Sequence, residues 1–164
     1  MSNPWEIAIV SGKGGTGKTS VAAAFCDLCG EGVYCDCDVD ASNLELILQG
    51  KEIERHDFIA GSKAFVDPAK CSRCGLCVDI CRFDAVTDPG IIEETSCEGC
   101  GLCSLACPES AIRMMPVVSG QWFVSMTQQG PLVHARLEPG EENSGKLVAL
   151  VKQQAKKVAI SSGS

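Results

Sequence analysis

Long apolar runs are absent from this 164-residue chain. Nothing approaches the roughly 18 consecutive apolar residues of a membrane-crossing helix, which excludes a membrane span. Also missing at the N-terminus is a basic segment followed by an apolar core, the mark of a secretory leader; Met1 to Glu6 runs straight into a strand-like stretch. Basic residues form no stripe: 14 Lys and Arg stand against 21 Asp and Glu, a net charge of −7. That balance disfavours nucleic acid, whose phosphates demand a basic surface, and favours partners with basic patches. Histidine is scarce, and His56 and His134 lie beside no recognisable motif, so both read as ordinary surface or core residues. Cysteine is abundant at 12, and glycine at 17. Without a leader, the cysteines read as thiols available for metal in a reducing cytoplasm rather than as disulfides. The length suits one domain, or one with a small insert, and an apolar share of 45% is enough for a core.

The first chemistry-bearing stretch is "IAIVSGKGGTGKTSVAAAF". Its apolar run predicts a buried parallel strand, and the glycines lead into a helix, "KTSVAAAFCDLC", that Gly30 should end. Gly12 to Thr19 fit G-x-x-x-x-G-K-[ST], in which backbone N–H groups curl around phosphate oxygens and the helix N-terminus adds positive potential. Lys18 is placed to reach the β- and γ-phosphates, and the Thr19 hydroxyl to bind Mg²⁺. The candidate nucleotide contacts are Gly12, Lys13, Gly14, Gly15, Thr16, Gly17, Lys18, Thr19 and Ser20. A second buried strand, "GVYCDCD", carries Asp36 and Asp38 at its tip, and Ser42 with Glu45 resembles a capping box opening the helix "NLELIL". Further on, "DFIAGSKAFVD" suggests a hairpin about Gly61, "QWFVSM" and "LVHARL" two strands, and Leu147, Leu150, Val151, Ala155 and Val158 an amphipathic last helix.

The early lysine in "KGGTGKT" makes this region resemble the deviant Walker A ATPases of the MinD and ParA type. The resemblance implies ATP and Mg²⁺ as ligands. It gives Lys13 a reach into a partner's nucleotide site across an ATP-bound dimer, with a second copy or a related ATPase. It continues through "DCDVDASNL", implying Asp36 near Mg²⁺, Asp38 as the switch residue that orients the attacking water, and Asn43 as a nucleotide-site residue. Lys13, Lys18 and Asp38 are thus the implied catalytic set.

The cysteines bring a second theme. "AKCSRCGLCVDICRFDAV" recurs 26 residues later as "TSCEGCGLCSLACPESAI", each with C-x₂-C-x₂-C-x₃-C spacing. This is similar to the bacterial two-cluster ferredoxins, in which the fourth cysteine of each run ligates the other cluster. The resemblance implies two 4Fe-4S clusters, one on Cys71, Cys74, Cys77 and Cys107, the other on Cys97, Cys100, Cys103 and Cys81. Arg82 stands where proline is usual after Cys81, whereas Pro108 follows Cys107. Cys26 and Cys29 form a C-x₂-C that could serve a thioredoxin-like or bridging-metal role, but with Cys35 and Cys37 they read rather as small core residues.

Together the motifs resemble MinD-superfamily ATPases with an inserted ferredoxin domain. The implied fold is α/β: a partial P-loop-NTPase-like parallel sheet with helices, over 1–60 and 117–164, interrupted at 61–116 by an α+β two-cluster domain. Members of that family continue past the last helix into a strand with a γ-phosphate-sensing loop, so a fragment or a shortened relative, dependent on a partner for its first strand, is expected. The implied function is coupling of ATP binding and dimerisation to electron transfer, or to metallocluster delivery to a client protein. The alternatives are a ferredoxin-like carrier on a non-hydrolysing fold, or a redox-sensing positioning ATPase.

Overall fold

The computed structural model describes residues 5–13, 15–141 and 143–162. The chain forms two compact units, one of Met1–Phe58 with Gly120–Ser164, the other of Ile59–Ser119.

In the first unit, helix α1 spans Lys18–Cys29. Gly17 precedes it at φ 83° and Gly30 ends it at φ 68°, left-handed values that only glycine adopts without strain. Strand β1 is just Tyr34–Cys35, followed by a one-turn helix α2, Leu44–Ile47. Strand β2 runs over Lys51–Val66 and β5 over Ile112–Met126, so these two strands carry the chain into the second unit and back. Strand β6, Pro131–Leu137, and helix α5, Ser144–Ser162, complete the unit.

The four-stranded sheet has the order β1-β6-β5-β2. It is mixed rather than parallel: β1 runs parallel to β6, but β5 is antiparallel to β6, with Gly120 opposite Leu137 and Met126 opposite Pro131. The reason is the connection between them. Thr127 and Gly130 close a tight turn, the Thr127 amide donating to the Gly130 carbonyl at 3.0 Å, and so short a link joins only antiparallel strands. A Cβ at Gly130 would collide with the Gly32 carbonyl oxygen, so glycine is required there.

Leu132, Val133 and Ala135 of β6 are fully buried. Leu132 packs with Cys26, Leu44 and Leu48 of the α1 and α2 side. Helix α5 packs on β6 and contributes the buried Leu147 and Val151. The expected helices at α1 and α5 are therefore present.

Three expectations fail. The "IAIV" segment belongs to no strand, and Ile7 and Val10 are 71% and 86% exposed. A strand exists through its ladder partners, and none of the strands among the described residues pairs with it. The segment is tied instead to α5 by Glu6, whose carboxylate meets Lys152 at 3.7 Å and Lys156 at 3.1 Å. No hairpin turns at Gly61; its φ of 77° is absorbed within the continuous β2, as glycine permits at an irregularity in a strand. The capping box is not made either, because Asn43 occupies the N-cap without a side-chain bond and Ser42 bonds elsewhere.

In the second unit, the helices α3, Leu76–Asp79, and α4, Leu102–Ala106, each follow a left-handed glycine, Gly75 at φ 84° and Gly101 at φ 75°. Strands β3, Val86–Asp88, and β4, Ile91–Ile92, form a small antiparallel pair. The sequence repeat is written into the backbone. Positive φ recurs at Arg73 and Gly99, at Gly75 and Gly101, and at Asp84 and Ser110, each pair 26 residues apart. The halves also exchange bonds, for the Asp67 amide donates to the Ala111 carbonyl and the Glu93 amide to the Ala85 carbonyl, both at 2.7 Å.

Candidate functional site

Two sites arise, one in each unit. In the first unit the glycines at 15 and 17 take φ of 75° and 83°, bending the loop so that it enters α1 at Lys18. The Lys13 carbonyl gathers the loop, accepting from the Ser11 hydroxyl at 3.3 Å and the Thr16 hydroxyl at 3.2 Å. Gly12, Lys13, Gly15, Thr16, Gly17 and Ser20 are exposed, and Lys18 and Thr19 half-buried. Gly14 lies outside the described residues.

The segment past β1 meets this loop at Lys18, whose Nζ lies 3.2 Å from Asp38 Oδ2. Asp38 is positioned by Asp36, whose Oδ1 accepts the Asp38 amide at 3.0 Å. Asp36 Oδ2 accepts the Ser42 hydroxyl at 3.0 Å and the Leu44 amide at 3.2 Å. Asp36 is thus the hub that fixes the turn between β1 and α2, and the phosphate-loop lysine reaches Asp38 rather than Asp36. Asn43 caps α2 through its backbone, the Ile47 amide donating to its carbonyl at 3.4 Å.

Beyond the expected residues, a buried polar group stiffens α2 against β6. His134 is 1% exposed, shares a 3.0 Å hydrogen bond with Ser125 and stands 3.8 Å from Glu45, which Arg136 holds at 2.7 Å. Burial lowers the His134 pKa below its ordinary value. The only sequence signal was a histidine inside an apolar strand. The turn also carries Cys35 and Cys37, whose sulfurs lie 3.6 Å apart; the bond between them pulls the Cys37 thiol down to about 7 and pushes Cys35 up. They are half-buried and exposed respectively, not the core residues expected, whereas Cys26 is buried and its thiol is pushed up to about 11 by that burial. Cys29 is exposed at the end of α1.

In the second unit the eight remaining cysteines surround two cavities. Cys71, Cys74, Cys77 and Cys107 line one, and Cys81, Cys97, Cys100 and Cys103 line the other. Each cavity takes three cysteines from one run and one from the other. The left-handed glycines Gly75 and Gly101 belong to the respective linings, and the Cys107 sulfur accepts the Ala111 amide at 3.3 Å. Burial pushes the Cys103 thiol up. Among the described residues, no three His, Cys, Asp or Glu side chains converge to hold a single metal ion.

A glycine-bent loop opening a helix beside a mixed sheet, with its lysine facing an acidic strand tip, defines a nucleotide-binding α/β domain of the phosphate-loop class. The chain belongs to the CobQ/CobB/MinD/ParA nucleotide-binding domain family, whose profile matches residues 7–160. It is 39% identical over 158 residues to an uncharacterised protein of Methanocaldococcus jannaschii, an alignment covering 93% of this chain and 55% of that protein. It is 42% identical over 67 residues to an uncharacterised ATP-binding protein of the same organism, covering 37% of this chain and 25% of that one. The chain therefore spans about half the length of the first relative, and the matched segment covers a quarter of the second. No solved structure matches. Among the described residues, no helix is long and apolar enough to cross a membrane.

Proposed function

We propose that this chain couples ATP at its phosphate loop to two 4Fe-4S clusters, serving electron transfer or metallocluster delivery to a client protein. The observation that carries this is the lining of the two cavities, four cysteines each, with the fourth drawn from the opposite run. The donor set fits a cluster better than zinc. Zinc loops commonly use paired C-x₂-C knuckles, whereas each run here carries four cysteines in C-x₂-C-x₂-C-x₃-C spacing. Cys71, Cys74, Cys77 and Cys107 hold one cluster in this reading, and Cys97, Cys100, Cys103 and Cys81 the other. The clusters supply one-electron chemistry.

The chain's own part is binding and gating. Loop amides and Lys18 hold the phosphates, Thr19 and Asp36 orient Mg²⁺, and Asp38, once Lys18 turns from it to phosphate, is free to position water. Lys13, exposed at the loop's entrance, reaches the facing site of a homodimer or of a related ATPase. Dimerisation presents the cysteine-rich unit, residues 61–116 as bounded by the motifs, to its client.

Two measurements on the anaerobically purified chain test the reading. Iron and acid-labile sulfide should each approach about eight per chain; zinc without sulfide overturns the cluster assignment. Mg-ATP should bind the parent, and Lys18→Ala should weaken it roughly tenfold or more, at least about 1.4 kcal/mol. Binding unaffected by that substitution sinks the role given to the loop.

A further inference from the structure

The turn that carries Asp36 is flanked by two thiols of no assigned role. Cys35 is held by the sheet, opposite Val133 of β6, and the next amide, that of Asp36, donates to the Val133 carbonyl at 3.0 Å. Cys37 lies past the end of the strand and is exposed. Residues two apart on an extended chain point to the same side, and their Cα atoms lie roughly 6.6 Å apart, inside the span a disulfide accepts. The sulfurs are already 3.6 Å apart. Moving them to a bonded separation of about 2.05 Å needs side-chain rotation and a small adjustment of the free end.

We propose that Cys35 and Cys37 are a redox-active dithiol that closes into a disulfide by exchange with a low-molecular-weight disulfide, and that this oxidation alters nucleotide affinity. The chemistry balances in two steps. One protein thiolate attacks the small disulfide, forming a mixed disulfide and releasing one thiolate. The second protein thiolate then attacks the protein sulfur of that mixed disulfide, releasing the other. Two protein thiols and one small disulfide become one protein disulfide and two small thiols.

The coupling follows from position. Asp36, between the two sulfurs, is fixed by Ser42, Leu44 and the Asp38 amide, and Asp38 follows Cys37 directly while holding Lys18. A covalent ring across Asp36 constrains the same short stretch of backbone that places Asp38 against the phosphate-loop lysine. Because the linkage is reciprocal, nucleotide must also change the ease of oxidation.

The test uses the full chain, metal-loaded as purified, equilibrated anaerobically in graded mixtures of reduced and oxidised glutathione, then alkylated and digested. The single tryptic peptide from Thr19 to Lys51 contains Cys26, Cys29, Cys35 and Cys37. It should lose two alkyl groups together, and cleavage beside Asp36 should leave Cys35 linked to Cys37. In Cys37→Ser the paired loss should vanish. A link between Cys26 and Cys29 instead, or glutathione mixed disulfides that never close, overturns the dithiol. The second arm compares Mg-ATP affinity of the reduced and oxidised chains, with a change of threefold or more expected and equal affinities overturning the coupling. This arm rests on ATP binding at the phosphate loop, as the first does not. A reduced parent that fails to bind ATP therefore indicts that reading rather than the dithiol.

Discussion

The two units are stabilised by different means. The first is built on one strand, β6, whose Leu132, Val133 and Ala135 are fully buried beside Leu147 and Val151 of α5. The second has little comparable: its buried apolar side chains are mostly small, Ala60, Ala64, Ala85, Val86, Ala111 and Ile112, with eight cysteines around two cavities. One unit is held by apolar packing. The other has left-handed turns and exchanged amides to shape it, and cysteines in place of large apolar side chains. The lesson is that burial alone would rank the second unit as the weaker, whereas a filled cavity would reverse the ranking.

The largest effect should come from emptying those cavities. If inorganic clusters supply the missing interior, removing iron with a chelator under mild oxidant should abolish amide-exchange protection across 59–119 while leaving that of α5 and β6 in place, since ligand binding free energy is then folding free energy. Retained protection in the iron-free chain would break the contrast between the units.

Next in size is the complementary cut. Leu147→Ala removes a fully buried side chain from the first unit and should cost about 2–5 kcal/mol in denaturant unfolding. If the second unit carries the proposed clusters, their visible absorption should survive at denaturant concentrations that unfold the first, and loss of both together would show that the units do not unfold separately.

The smallest effect is electrostatic. His134 is buried and its folded pKa lies below the unfolded value of about 6.5. The unfolded chain therefore binds the proton more readily. The stability this neutral histidine contributes is complete above that unfolded value and erodes as pH falls below it towards the depressed folded one. Denaturant midpoints of the first unit should drop over that interval. In His134→Gln the slope there should flatten, even though the substitution lowers the midpoint itself; an unchanged slope would remove His134 as its source.

These features differ in how far the sequence foretold them. Helix α1 was legible because glycines punctuate both its ends, and α5 because its apolar positions recur at helical spacing. The cysteine repeat was legible to the residue, and the backbone repeats its left-handed positions at the same interval. What failed were the features decided at a distance. Whether "IAIV" becomes a strand depends on a neighbour, and whether Ser42 caps a helix depends on Asp36 lying within its reach. Gly61 illustrates a third limit, since a left-handed glycine serves a turn or an irregular strand equally well. The meeting of Cys35 with Cys37 was hidden because period-two alternation says which side a residue takes, not whether that side is covered.

The exchange of amides between the halves of the second unit has a historical consequence. Asp67 supplies its donor to Ala111 and Glu93 supplies its donor to Ala85, so each half gives the other one donor and accepts one in return. Two separate copies of a single half would meet each other's needs by the same reciprocal handshake. The 26-residue repeat is, in that sense, a homodimer whose subunits have been joined end to end, and duplication of a short ancestral gene is the simplest event that makes one.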